Sequence, residues 1–418
     1  MTKHRNLPSW EAIRAGAADW IGQRVDLAPL AAALQKKTVP IHRHSWIYLL
    51  GGGALFLFAF QVLTGVLLML YYQPAELTAH ESVERIMTQV PYGWLVRSMH
   101  AWGASLFIGL SGLHLLTVLF SRAYRRPREL TWLSGTLLLF LALGFGFSGY
   151  LLPWNELAYY ATLVGSKIPT AIPLAGEFVV HWLRGGPQVS GDTITRFCAA
   201  HVLILPLAFA AVLLVHLALI QAQGMSLPLG LAAREVRDHR PFFSEFVLID
   251  CGVWLLLLGL TATLAVFLPA ELGVKADVLR PPPPGIKPEW YFLFLFQVLK
   301  HVPEPVGVAL FAAGAAFLVA IPFLDRHAGR ERASPRFTAL LAVLLLAVLV
   351  LEAQAWLAPG MKRAAEQLRA PSYSLAGGAV SLALLWSVIG FLLYYLRQLL
   401  RENARVRKLY RCGAHDPP

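Results

Sequence analysis

Apolar residues gather along this chain into runs of about 20, the length that crosses the hydrocarbon core of a bilayer as a helix. Charged residues fall mainly between the runs. Eight runs stand out, near residues 46–71, 93–120, 131–152, 197–222, 247–269, 306–324, 337–357 and 375–396. The pattern predicts an all-α, polytopic membrane protein with eight transmembrane helices. The early runs contain Gly, Pro and His, which a lipid-facing helix has little reason to hold, so those helices are predicted to pack on one another or on a ligand. The chain divides into a surface segment (1–45), a four-helix bundle (46–222), a linker (223–246) and a second four-span unit (247–418) without histidine in its apolar centres.

Trp10, Ile13, Ala17, Trp20 and Ile21 recur at helical spacing among charges, which suits either a helix lying on the membrane surface or a solvated arm. The outer loops 153–195 and 270–305 are long, and loops of that length are usually structured or functional.

Composition agrees with a lipid setting: 57% of residues are hydrophobic and 14% charged, against about 25% charged in soluble proteins. A net charge of +12 could point to polyanionic partners. Sorting the 36 Lys and Arg by loop changes that picture. With the N-terminus cytoplasmic, 24 lie on the inner side and 11 on the outer, Arg97 being within the second span. The positive-inside rule places both termini in the cytoplasm and accounts for the basic balance without nucleic acid. No cleavable leader is visible, so the first span is expected to act as its own insertion signal. Cys198, Cys251 and Cys412 form neither C-x-x-C nor C-x-x-C-H, so the chain offers no iron–sulfur site and no covalent c-type haem.

If the chain carries a redox centre, histidine must hold it. His100 and His114 lie in the second span, His201 and His216 in the fourth. At 100° and 1.5 Å per residue, a step of 14 returns to within about 40° and rises about 21 Å; a step of 15 comes within about 60° and rises about 22 Å. Each helix therefore offers two imidazoles near one face at two depths, pairing His100 with His201 toward the outer side and His114 with His216 toward the inner. Two stacked bis-histidine sites suit two haems, because imidazole is a good axial ligand for iron. The alternative is four unrelated histidines, each bonded to a carbonyl or placed in a proton path.

Glycines repeat the same interval. Gly51 and Gly65 in the first span, and Gly135 and Gly149 in the third, are each 14 apart. A flat macrocycle wedged into a bundle needs positions without side chains; close helix packing by small residues is the plainer account. Arg97 and Arg196 precede the outer histidines by about one turn, where they could pair with haem propionates or snorkel to the interface.

These residues resemble the cytochrome b/b6 family, the membrane core of quinol:cytochrome c and plastoquinol:plastocyanin reductases. The resemblance rests on Gly51-Gly52 with Gln61 and Thr64-Gly65; Arg97-Ser-Met-His100 and His114; Gly149-Tyr150-Leu-Leu-Pro153-Trp154; Thr195-Arg196-Phe197 with His201; and Pro288-Glu289-Trp290-Tyr291. It spans about residues 40–320. The first half is most similar to the chloroplast-type branch, including the 15-residue step from His201 to His216. Leu49 stands where that branch has the cysteine for its covalent extra haem, so no haem c is expected. That branch is split in two after four spans, whereas this chain is continuous, as a fused bacterial form would be.

The resemblance implies two haem b groups, a low-potential one at His100/His201 and a high-potential one at His114/His216. It also implies quinol oxidation at the outer face, beside Pro288-Glu289-Trp290-Tyr291. Glu289 would accept a proton there, with Tyr291 as hydrogen-bond partner, and Pro153, Trp154 and Asn155 would form the opposite wall. Asp250 could supply protons to a second quinone near the cytoplasm, or simply balance Arg237 or Arg240 at a helix terminus. Implied partners are a Rieske-type iron–sulfur subunit, a cytochrome c or other haem c protein, quinone and lipid, in a homodimeric, proton-translocating complex of a bacterial inner membrane. Two other readings stay open from the residues alone: the haem b anchor of a membrane dehydrogenase, and a transporter whose histidines relay protons without a cofactor.

Overall fold

A computed structural model describes residues 36–229, 231, 236, 238–282, 286–325 and 334–357, with a few isolated positions between 15 and 23 and at 386 and 390. The predicted eighth span, 375–396, and nearly all of the predicted N-terminal surface helix lie outside the described residues.

A short strand β1 (Thr38–Ile41) leads through a 3-10 turn (Ser45–Tyr48) into α1 (Leu49–Met69). Then come α2 (Ala79–Thr88), α3 (Gly93–Phe120), α4 (Glu129–Tyr150), α5 (Glu156–Gly165), α6 (Gly176–Arg184) and α7 (Gly191–Ala199). A π-helical turn (Ala200–Ile204) joins α7 to α8 (Leu205–Gln223). Strand β2 (Asp238–Pro241) and a second π-helical turn (Phe242–Phe246) precede α9 (Val247–Phe267). The chain continues with α10 (Trp290–His301), α11 (Glu304–Leu324) and α12 (Pro335–Leu357).

Seven helical stretches among the described residues are long and apolar enough to cross a membrane, and they coincide with the first seven predicted runs. Their surfaces are apolar nearly all round, as helices immersed in lipid must be. Leu63, Leu214 and Val343 point outward and are more than half exposed. The fourth span runs without a break from Gly191 to Gln223, 33 residues. At 1.5 Å per residue that is about 50 Å, longer than the roughly 30 Å apolar core, so its first turns stand outside it.

In the bundle α1 packs on α3, α4 on α8, and α3 on α4. The second half is fastened to it by α9 against α1 and α3, and by α11 against α4. Two tryptophans anchor these seams: Trp254 Nε1 donates to Gly52 O (2.9 Å) and Trp132 Nε1 to Leu318 O (2.9 Å). At the end predicted to be cytoplasmic, β1 and β2 pair antiparallel in the register Thr38↔Pro241 and Ile41↔Asp238, tying the segment before the first span to the linker before α9.

The two long loops predicted on the outer side are zipped together. Ala276 N donates to Trp154 O (3.0 Å), Glu156 N to Val274 O (2.9 Å) and Asn155 Nδ2 to Leu272 O (2.6 Å). Segment 270–305, read from sequence as a loop, contains α10, whose 12 residues extend about 18 Å. That is well short of the roughly 30 Å apolar core, so apolar length does not mark this helix.

Candidate functional site

His100 and His114 are carried by α3, which is unbroken from Gly93 to Phe120. His201 lies in the π-helical turn at the head of α8, and His216 in α8 itself. A π-helical turn holds one residue more than an α-helical turn. It therefore absorbs the extra residue in the 15-residue step, and His216 returns to the face of His201 as closely as His114 does to that of His100. Pro206, without an N–H, sits just past the turn and relaxes the demand for regular α-helical bonding there.

The outer pair meets across the bundle. The ring centres of His100 and His201 are 6.3 Å apart at an interplanar angle of 74°. Two imidazoles sharing one metal ion about 2 Å from each would have centres roughly 6 Å apart. An apolar cavity adjoins them, lined by residues that include Phe58, Gly65, Phe107, Phe145, Gly146 and Val202. Among the described residues no three His, Cys, Asp or Glu side chains converge as a metal cluster.

Each glycine of the 14-residue pairs faces one imidazole. A Cβ added at Gly51 would lie 3.3 Å from His114 Cε1, at Gly65 3.4 Å from His100 Cε1, at Gly135 3.1 Å from His216 Cε1, and at Gly149 2.6 Å from His201 Cε1. The repeated spacing thus mirrors that of the histidines because glycine and histidine are in contact. These distances also rank the positions. Gly149→Ala is expected to displace the His201 ring while Gly65→Ala leaves the His100 ring in place; for the haem that the resemblance implies here, redox difference spectra should lose most of the absorbance in the first variant and keep it in the second.

Three imidazoles have a hydroxyl partner that the sequence reading assigned no such role. His100 Nδ1 is 2.9 Å from Thr64 Oγ1, His216 Nδ1 2.9 Å from Ser134 Oγ, and His201 Nδ1 3.1 Å from Ser148 Oγ. The signal was present, because each hydroxyl residue directly precedes one of the spaced glycines.

The remaining predicted residues fall in three places. Arg97 donates to Ala270 O (2.5 Å) and Glu271 O (2.9 Å), and Arg196 to Trp182 O (2.7 Å), so both guanidiniums bind outer-loop carbonyls. Trp154 is 1% exposed, in an apolar cluster with Leu151, Tyr159 and Phe197, while Asn155 caps α5 through Ala158 N (2.8 Å). Pro153 precedes this packed corner. Around α10, Glu289 occupies the N-cap without its side chain capping the helix. Its carboxyl is held above the usual carboxylate range by burial. Tyr291, raised by burial and by the nearby Glu289 carboxylate, lies over Gly146, where a Cβ would be 2.7 Å from its ring. Trp290 lies over Gly109, and Pro288 leads into the turn. The Pro288–Tyr291 segment thus sits on both α3 and α4. Asp250, in α9, is 7% exposed and lies against Gly52, where a Cβ would be 2.5 Å from Oδ2. Arg240 instead pairs with Glu245 (3.7 Å); Arg237 is outside the described residues.

Comparison with known proteins decides the family. The cytochrome b/b6/petB family model matches residues 34–224, and the C-terminal cytochrome b/b6/petD model matches residues 275–376. A cytochrome bc complex cytochrome b subunit from Chlorobaculum thiosulfatiphilum is 45% identical over 350 residues, covering 82% of this chain and 81% of that protein. The chain belongs to the cytochrome b/b6 family. Cytochrome b6 of Porphyra purpurea is 41% identical over 211 residues, 50% of this chain and 98% of that one. A chain of a hyperthermophilic respiratory Complex III superposes with a TM-score of 0.73 at 29% identity, covering 92% of this chain and 99% of that chain. The b6-like first half and the petD-like second half are continuous here, and membership in this family implies haem b.

Proposed function

We propose that this cytochrome b is the membrane subunit of a quinol:cytochrome c oxidoreductase in a bacterial inner membrane, with both termini cytoplasmic. The observation that carries the reading is the meeting of the His100 and His201 rings across the bundle, with three of the four imidazoles backed at Nδ1 by a hydroxyl. Each such hydroxyl also donates to a carbonyl one turn back on its own helix, so toward histidine it accepts. The imidazole then carries its proton on Nδ1 and offers the Nε2 lone pair, the form in which histidine ligates iron. A histidine serving only as a proton relay would gain nothing from being held in one tautomer.

His100 with His201 and His114 with His216 would hold two haem b groups, which when bound supply one-electron carriers between the membrane faces. At the outer face Glu289 takes a proton from the quinol hydroxyl and Tyr291 orients the ring. Pro153, Trp154, Pro288 and Trp290 form the framework around it, and Arg97 and Arg196 add positive charge at that depth. One electron leaves to a Rieske-type iron–sulfur subunit and onward to a cytochrome c subunit or other haem c protein. The other crosses to a second quinone near the cytoplasm, where Asp250 supplies protons. Protons released outside and taken up inside are thereby translocated. A homodimeric complex in a lipid bilayer is the assembly this implies. Four spans (46–222) hold the redox groups, and the second unit (247–418) brings the quinol loop to them.

A redox difference spectrum of the purified protein tests the reading: two b-type haems are expected, and their absence would favour a cofactor-free transporter. For the outer site, Glu289→Gln is expected to slow quinol oxidation about 10²-fold, the lower end of what a positioned base contributes, with both haems retained. A base acts only when ionised. Because burial raises the Glu289 carboxyl, the competent fraction grows as pH climbs through a value above the ordinary ~4.3. The wild-type rate should therefore rise over that range and the variant's should not; equal turnover would remove Glu289 from the chemistry.

A further inference from the structure

The four imidazoles are not equivalent. Thr64 Oγ1 donates to Phe60 O (2.8 Å), Ser148 Oγ to Gly144 O (2.8 Å) and Ser134 Oγ to Thr131 O (3.0 Å). With its single proton so used, each hydroxyl faces its histidine as an acceptor. The fourth position in this register, directly before Gly51, is Leu50. Its histidine, His114, has a buried Nδ1 with no hydrogen-bond partner among the described residues. Three glycines are thus preceded by an acceptor for the imidazole they touch, and one is preceded by an aliphatic side chain.

We propose that Thr64, Ser134 and Ser148 are positioning residues that set the ligand strength of their histidines. Leu50 withholds this support from His114 and so separates the reduction potentials of the two iron sites. This rests on the histidines being haem ligands. An Nδ1–H bonded to an acceptor makes Nε2 more basic, and a more basic axial ligand favours ferric over ferrous iron. The outer site, His100 with His201, has two supported imidazoles and is biased toward the lower potential. The inner site, His114 with His216, has one, and is biased toward the higher. The missing hydroxyl therefore tilts the pair so that an electron entering at the outer side runs downhill to the inner. This device lies in the protein around the ligands and needs no difference between the ligands themselves.

Leu50→Ser tests it. A serine there can donate to the carbonyl one turn back, as Ser148 does, and accept from His114. In a potentiometric titration of the purified complex, followed by absorbance and by the low-spin ferric resonances, the inner site should move to lower potential. The expected change in the ferric/ferrous equilibrium is up to about tenfold, 59 mV for a one-electron couple, with the outer site unmoved. Thr64→Val should move the outer site upward in the same measure and Thr64→Ser should restore it. An inner potential that stays put in Leu50→Ser with both haems bound, or an outer potential indifferent to Thr64→Val, overturns the proposal. If Leu50→Ser does not assemble, the Thr64→Val and Thr64→Ser pair decides alone. A wild-type protein without haem would instead overturn the functional reading.

Discussion

His201→Leu is expected to remove one of two b-type haems and leave the other, halving the haem absorbance of the purified protein. Leucine keeps the apolar volume but has no lone pair, so the outer pair is reduced to His100 alone. The inner pair lies about 21 Å away along the same helices, far enough for the two sites to respond independently. His114→Leu should give the mirror result, sparing the outer haem. On the proposed mechanism, quinol oxidation should fail in the first variant, because the outer relay would be gone. The measurement is a redox difference spectrum with haem counted against protein. Loss of both pigments from either single change would mean that the histidines hold the bundle together rather than binding separate groups, and retention of both would dismiss the ligand assignment.

Asp325→Ala is expected to destabilise the protein by about 3–5 kcal/mol, the range for breaking a buried pair and leaving one charge behind. Arg122 Nε and Asp325 Oδ2 are 3.0 Å apart, with side chains 4% and 1% exposed. Tyr124 donates to the same carboxylate oxygen (2.7 Å), while Arg122 reaches Leu119 O (2.8 Å) and Thr338 Oγ1 (2.8 Å). Three elements meet here: the turn between α3 and α4, the end of α11 and the start of α12. Arg122 adopts a left-handed backbone (φ 56°) to do so. Removing the carboxylate strands a guanidinium in an apolar setting. Replacing both partners with apolar residues, Arg122→Met with Asp325→Leu, should be far milder, since no charge is then left unpaired. Thermal unfolding in detergent distinguishes the outcomes. Equal losses for the single and double changes would show that shape rather than charge matters at this junction.

Much of the site was legible before the fold. Apolar length marked seven spans that the structure bears out, and the 14-residue interval linked Gly51, Gly65, Gly135 and Gly149 to His100 and His114. The glycines were read as room for a macrocycle, and the structure brings each of them against an imidazole. The hydroxyls of Ser134 and Ser148 went unassigned because serine inside a helix usually bonds its own backbone. These do so as well, and only the neighbouring helix reveals the second contact. Arg97 and Arg196 were expected to meet propionates or the interface, and only the fold shows that their guanidiniums reach the carbonyls of residues 270, 271 and 182.

The sequence by itself determined which segments form long apolar helices and how far apart along them the histidines stand. Both follow from local quantities, the apolar length of a run and a fixed rise per residue. Tertiary structure alone decided which way those histidines point and what stands behind them. A π-helical turn at His201 corrects the 15-residue step, and hydroxyls 36, 53 and 82 residues distant reach three of the rings. The loop carrying Glu289 and Tyr291 is seated on α3 and α4 across more than a hundred residues of chain. Contacts of that range depend on how finished helices pack, and no window along the chain contains both partners.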